Sequence, residues 1–322
     1  MKIMKSQQFR FFLLLAFIVL AIIVSLTRGT ASKETPHQSF DINIDKAITQ
    51  NFSSAVLVLD ITSAIFFEPS GSGFNNIVGA RRWISQLDAA SKDDNIKGLL
   101  VRMNSPGGSI VASQELFDAM KRFRATEKPI VVSIADICAS GGYYISLPAT
   151  KIIANRGSLI GSIGVRISHT NISKLLEKVG IASDEIKSVP FKDILSATRN
   201  MTPAERTHIQ GLVDDMHEQF VADVITWRGE KSNPELLRQS ANGLLYLSKE
   251  ALEKGLIDNI GNFEEAKRLI AEEIGIPYEK LTFRKPTLLP WWENAFFPNI
   301  KLFYELENLI KLLKSISTLN TI

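Results

Sequence analysis

Four short apolar runs recur along the first half of the chain: Ala55–Ile61, Lys97–Met103, Pro129–Ile134 and Lys151–Ala154. Continuous apolar runs of this length, without polar alternation, read as strands buried on both faces. Between them lie helix-length segments. Val78–Ala90 sets Val78, Trp83, Ile84 and Leu87 at helical spacing, Val111–Phe123 reads as a second helix, and a third opens at Ser140. Strands alternating with helices predict an α/β architecture, a mostly parallel sheet with helices on both faces. Further on, Ile172–Val179 reads as a short helix stopped by Gly180. Thr202, Pro203 and Glu205 form a capping box with proline in the first turn, opening a helix to about Arg228. Ser248 begins a helix ended by Gly255 and followed by a short strand, and Phe263–Ile274 is the last helix of a domain spanning 55–275.

The ends have a different character. Lys2, Lys5 and Arg10 precede the almost wholly apolar Phe11–Thr27, at the short end of the roughly 17–25 residues a spanning helix needs. A cleaved signal peptide is the rival reading, but no small-x-small site follows. Residues 1–32 are therefore expected to be a cytoplasmic N-terminus and a single transmembrane anchor, with the rest of the chain across the membrane. Residues 33–54 read as a polar tether, with a loop at Pro69–Phe74 inside the domain. The tail, 276–322, carries Trp291, Trp292, Phe296 and Phe297 before an aliphatic stripe at 302, 306, 309, 313 and 316. Two roles stay open for it: a helix packed on its own domain or a neighbouring subunit, and an amphipathic helix lying on the membrane.

Charge and cysteine usage exclude several classes. Of 37 Lys/Arg and 34 Asp/Glu, residues 1–33 hold five of the basic residues and none of the acidic ones. The body is thus close to neutral, and no nucleic-acid partner is expected. One cysteine, Cys138, leaves no internal disulfide. His37, His169, His208 and His217 have no ligand spacing, so no metal is expected.

The chemistry centres on Ala139-Ser140-Gly141-Gly142, a small-residue turn between an apolar strand and a helix. Such a turn presents a hydroxyl at a helix start with room for a substrate to approach. A serine needs a base to become a nucleophile. The histidines sit in packed or solvated helical settings. Lys192 stands in a short turn framed by Pro190, Phe191 and Ile194, where burial would favour the neutral amine. On the residues alone it remains either a candidate base or a surface lysine. Cys138 reads as a small packed hydrophobe.

Four motifs in order, Asn104-Ser-Pro-Gly-Gly108, Ala139-Ser-Gly-Gly-Tyr-Tyr144, Gly161-Ser-Ile-Gly-Val165 and Phe191-Lys-Asp-Ile194, resemble the signal peptide peptidase A family. The resemblance covers about residues 55–275, and the length is that of the family's short, single-repeat members. It implies a ClpP/crotonase-like fold and a serine peptidase with a Ser/Lys dyad, without metal or cofactor. Ser140 would be the nucleophile, Lys192 the general base and Ser162 the hydroxyl that orients the lysine. The Gly107 N–H, helped by that of Gly141, would form the oxyanion hole. A lysine base implies a neutral-to-alkaline optimum. The resemblance further implies a homo-oligomeric ring with active sites at subunit interfaces, and signal peptides as substrates. The location would be the bacterial cytoplasmic membrane, single-pass, with the catalytic domain extracytoplasmic. Misfolded or specific membrane proteins remain alternative substrates, and a catalytically inactive crotonase-like binding protein an alternative class.

Overall fold

The computed structural model describes residues 54–68 and 79–286. The expected anchor, almost all of the tether, the loop at 69–74 and the tail beyond 286 lie outside the described residues. Among the described residues, no helix is long and apolar enough to cross a membrane.

The strands β1 (Ala55–Ile61), β2 (Ile96–Ser105), β3 (Ile130–Ala139) and β4 (Lys151–Ala154) run parallel. Alternate side chains go to opposite faces, as a two-residue period requires. Leu57, Leu59, Leu99, Val101, Met103, Val132 and Ile134 join the larger core, whereas Val56, Val58, Leu100 and Val131 join a smaller one. The larger core packs α1 (Ala80–Ser91), α2 (Ile110–Arg124), the short α3 (Gly141–Ser146) and the C-terminal half of α5 (Pro203–Arg228). The smaller core is covered by α8 (Phe263–Ile274) through Ala266, Ile270 and Ala271. Helices thus lie on both faces, unequally divided.

Several boundaries differ from the sequence reading. β3 does not stop at Ile134 but continues to Ala139, because it changes partner midway. Val131–Ile134 pairs with β4, and Ile137–Ala139 pairs with β5 (Leu159–Gly161). The sheet also reaches past residue 275. After a 3-10 turn (Tyr278–Lys280), β8 (Thr282–Arg284) pairs parallel with β1, so the start of the presumed tail forms a sheet edge. The short α6 (Pro234–Ser240) and β6 (Leu245–Leu247, antiparallel to β5) carry too little periodicity to be read. α7 (Ser248–Glu253) is followed by β7 (Asn259–Ile260), which pairs with β4.

A buried ion pair ties these later elements to the sheet. Arg228 is 1% exposed and forks onto Asp258, with Nη1–Oδ2 at 3.0 Å and Nη2–Oδ1 at 3.2 Å. Asp258 Oδ2 also accepts the Ile152 N–H of β4 at 2.7 Å. By contrast, α4 (Ser173–Lys178) and its surroundings form an arm with little interior. α4 buries none of its residues, and Leu175, Val179, Ile181, Ile186, Val189 and Phe191 are exposed.

Candidate active site

Three strand ends meet at the carboxyl edge of the sheet. The pairings Ser105↔Cys138 and Ala139↔Gly161 set the ends of β2, β3 and β5 side by side. Ligands bind at this edge in parallel-dominated α/β sheets. Asn104 stitches the edge together: its amide donates to Asp136 Oδ2 at 2.9 Å and its carbonyl accepts the Ile137 N–H at 3.1 Å.

Ser140 follows β3 directly, at φ 50° and ψ −123°. Its N–H donates to the Gly161 carbonyl and its own carbonyl accepts the Tyr144 N–H, at 2.8 and 2.9 Å. Such backbone strain, on the order of 1–3 kcal/mol, persists where the surroundings over-determine it, and it clusters at functional sites. The side chain does not turn back to cap α3. Instead Ser140 lines a cleft with Ile110, Tyr144, Val165, Met216 and Phe220. Tyr144 packs tilted against Phe117 and edge to face against Phe220, with ring centroids 4.5 and 5.1 Å apart. Tyr144 Oη donates to Asp223 Oδ2 at 2.6 Å. Burial, and then this carboxylate, push the phenol's pKa up, so it stays a donor.

A second lobe holds Pro106, Gly107, Gly108, Ser162, Arg166 and Gly243 beside Ser140. Ser162 also stands at positive φ, 48°, with its N–H donating to the Leu244 carbonyl at 2.7 Å. The two serines therefore share one cleft and one unusual backbone state. Gly107 packs directly against Ser140: a Cβ there would lie 2.8 Å from both Ser140 Cβ and Gly141 N.

Its N–H, however, donates to Ser105 Oγ at 3.2 Å. The adjacent Gly108 N–H has no acceptor among the described residues, and Gly108 N is 3.4 Å from where a Cβ on Gly141 would stand. Gly141 begins α3, so its own N–H has no intrahelical partner. Two unpaired donors thus flank Ser140, and one of them is a glycine the sequence reading did not assign. The repeated glycine in Pro106-Gly107-Gly108 was the available signal. The cleft wall from α5 was also missed, since Met216 and Phe220 look like ordinary core residues.

Lys192 is exposed, on the turn after Val189, and lines neither lobe of the cleft. Within one chain, then, Ser140, Ser162, Gly107 and Gly141 come together and Lys192 does not join them. The described histidines also stay out of the cleft. His217 Nε2 bonds the Ala241 carbonyl at 3.0 Å, and the His208 ring sits 6.2 Å from that of Phe191. Cys138 is fully buried, and burial pushes its thiol up to about 12, so it is inert at neutral pH. Among the described residues no cluster of acidic, histidine or cysteine side chains could hold a metal ion.

Residues 122–276 match peptidase family S49. A provisionally named protease of Synechocystis is 38% identical over 203 residues, which cover 63% of this chain and 72% of that one. The chain belongs to peptidase family S49. A provisionally named signal peptide peptidase SppA of Enterococcus faecium is 35% identical, over 60% of this chain and 56% of its own length. Protease 4 of Salmonella typhi is 34% identical over 61% of this chain, but the match spans only 31% of that longer protein. Among solved structures, the peptidase is similar to a mutant of the 1510-N membrane-bound stomatin-specific protease (TM-score 0.46, 15% identical, 74% of this chain and 99% of the other). It is also similar to a mutant of ClpP1 of Listeria monocytogenes (TM-score 0.40, 15% identical, 70% and 99%). Family membership makes the chain a serine peptidase.

Proposed function

We propose that this peptidase cleaves peptide bonds with Ser140 as nucleophile and Lys192 as general base, supplied by neighbouring copies of the chain. The observation that carries this reading is the separation of the two residues. Ser140 presents a hydroxyl over an apolar cleft that contains no base, while Lys192 stands on an arm rich in exposed apolar side chains. An arm of that composition gains by docking on another subunit, and docking would desolvate the lysine, favouring the neutral amine.

In the reaction, neutral Lys192 takes the Ser140 proton as Oγ attacks the peptide carbonyl. Ser162 orients the amine. The Gly108 and Gly141 N–H groups receive the developing oxyanion, a type of contact worth about 2.7–4 kcal/mol of barrier each. Gly107 acts by its lack of a side chain, holding these donors against the nucleophile. The lysinium then protonates the leaving amine, and the amine so regenerated activates the water that releases the acyl group. The lobe formed by Ile110, Val165, Met216 and Phe220 suits an apolar substrate side chain. We assign cleaved signal peptides as substrates, met at the outer face of the membrane by a domain anchored through residues 11–27. The apolar lobe, the apolar N-terminal segment and the name of the Enterococcus faecium relative support this.

The test is complementation. Ser140→Ala and Lys192→Ala chains are each inactive alone. When they are dissociated and reassembled together, activity returns, because some interfaces pair an intact serine with an intact lysine. Full activity of Lys192→Ala alone, or no recovery in verified mixed assemblies, overturns the reading.

A further inference from the structure

Lys192 has a positional problem. The arm that carries it lacks a hydrophobic interior, since α4 is wholly unburied and Ile186, Val189 and Phe191 are exposed. Segments with few buried apolar contacts open easily. A general base must nevertheless be held in register with its nucleophile.

One group in this arm is unusually well satisfied. Arg199 Nε donates to Asp193 Oδ2 at 2.6 Å. Its Nη1 donates to Glu205 Oε2 at 2.9 Å and to the Asn200 carbonyl at 3.0 Å. Its Nη2 donates to Glu205 Oε1 at 2.5 Å and to the Asp193 carbonyl at 3.3 Å. Every N–H of the guanidinium is thereby used. The acceptors are tied in turn. Asp193 Oδ1 takes Lys187 Nζ at 2.5 Å, and Glu205 Oε2 takes the Thr202 N–H at 2.8 Å, closing the cap of α5. The Asp193 and Glu205 side chains are only 10% and 3% exposed, so salt screens these pairs less than ordinary surface pairs. The Arg199 fork holds both carboxyls below their usual range, Glu205 at about 2. Both are therefore ionised at neutral pH.

Asp193 is the residue after Lys192, and Arg199 grips it by side chain and carbonyl together. The turn around it is strained, with Leu195 at φ 67°. It is closed by Lys192 N–H to Val189 O, Ile194 N–H to Phe191 O and Ser196 N–H to Asp193 O, at 3.2, 3.2 and 2.9 Å. We infer that Arg199, with Asp193 and Glu205, is a positioning device that clamps the Lys192 turn to the first turn of α5. The clamp replaces, with charge-assisted bonds, the hydrophobic packing the arm lacks. The inference rests on Lys192 being the base.

The experiment uses the full-length assembled peptidase and a fluorogenic apolar peptide, reading kcat and KM separately, with sedimentation and melting as controls. Arg199→Lys keeps the charge but gives up the fork, and Glu205→Gln keeps the cap but not the charge. Each is expected to lower kcat about 10–100-fold with KM within about twofold, because a displaced base costs rate rather than binding. Assembly and melting stay as in the wild type. Arg238→Lys, in an exposed pair with Glu218 at 3.0 Å, leaves kcat unchanged. Wild-type kcat in both clamp variants overturns the inference, as does a loss of kcat that only accompanies lost assembly or melting. Lys192→Ala separates the two ideas. If it is inactive while the clamp variants are normal, the clamp fails and the base stands. If it is active, the base itself fails.

Discussion

At the scale of single residues, the site depends on backbone states that side chains resist. Gly107 sits at φ 95°, and a Cβ there would meet Ser140 Cβ, Gly141 N and the Ala139 carbonyl within 2.9 Å. Gly107→Ala should therefore destabilise the fold by about 1–3 kcal/mol from strain alone, and should abolish labelling of Ser140 by a fluorophosphonate probe. Gly157→Ala, which meets nothing within 4 Å, should leave both melting and labelling unchanged. The strand-to-helix turn at Ser140 was legible because its signal is local: small residues, a strand before and a helix after. Which glycine N–H is left without an acceptor among the described residues was not legible. That depends on the Ser105 hydroxyl, which also donates to the Ser63 carbonyl at 2.6 Å and occupies the Gly107 N–H. The resemblance pointed to Lys192 where composition left it open, since its side chain has no partner among the described residues.

At the scale of elements, helix ends were read well where caps are encoded in adjacent residues. Thr202 Oγ1 accepts the Glu205 N–H at 3.2 Å and Glu205 answers through the Thr202 N–H, as the capping pattern required. Thr202→Ala should cost about 1 kcal/mol, measurable by denaturant titration. Strand ends were read less well, because the extension of β3 to Ala139 depends on β5 arriving from later in the chain. The Arg228–Asp258 fork was likewise invisible, joining residues from separate elements. Burial pushes the Asp258 carboxyl up, but Arg228 and the Ile152 N–H outweigh it, and the net pKa is lowered. A carboxyl lowered on folding stabilises the native state above its unfolded value of about 3.9, and that stability is lost as pH falls through the native pKa. Melting temperature should thus fall as pH drops below about 4 in the wild type. Asp258→Asn should melt lower at pH 6 and lose less on acidification. Arg228→Met, which leaves the buried carboxylate only Lys231 Nζ at 3.4 Å and the Ile152 N–H, should cost up to about 3–5 kcal/mol.

At the scale of the molecule, the sheet is loaded unevenly. Among the described residues, one face bears α1, α2, α3 and much of α5, the other α8, whose Ile270 and Ile274 close over Gly98. The Ser140 cleft lies on the heavier face, and α5 reaches it from the clamp. At 26 residues and 1.5 Å per residue, that helix is about 39 Å long. It carries Glu205 in its first turn and the cleft residues Met216, Gln219 and Phe220 further along. α5 is therefore a measuring rod with a phase. One alanine inserted beside Gly211 turns everything downstream by about 100°, so the cleft wall and the clamp cannot both keep their bearings. Peptidase activity should vanish. Gly211→Ala, which touches nothing within 4 Å, should stabilise the helix by about 0.5–1 kcal/mol and leave activity intact. The length of α5 between these two points is then an interval the chain cannot change by a single residue, however tolerant its exposed surface is to substitution.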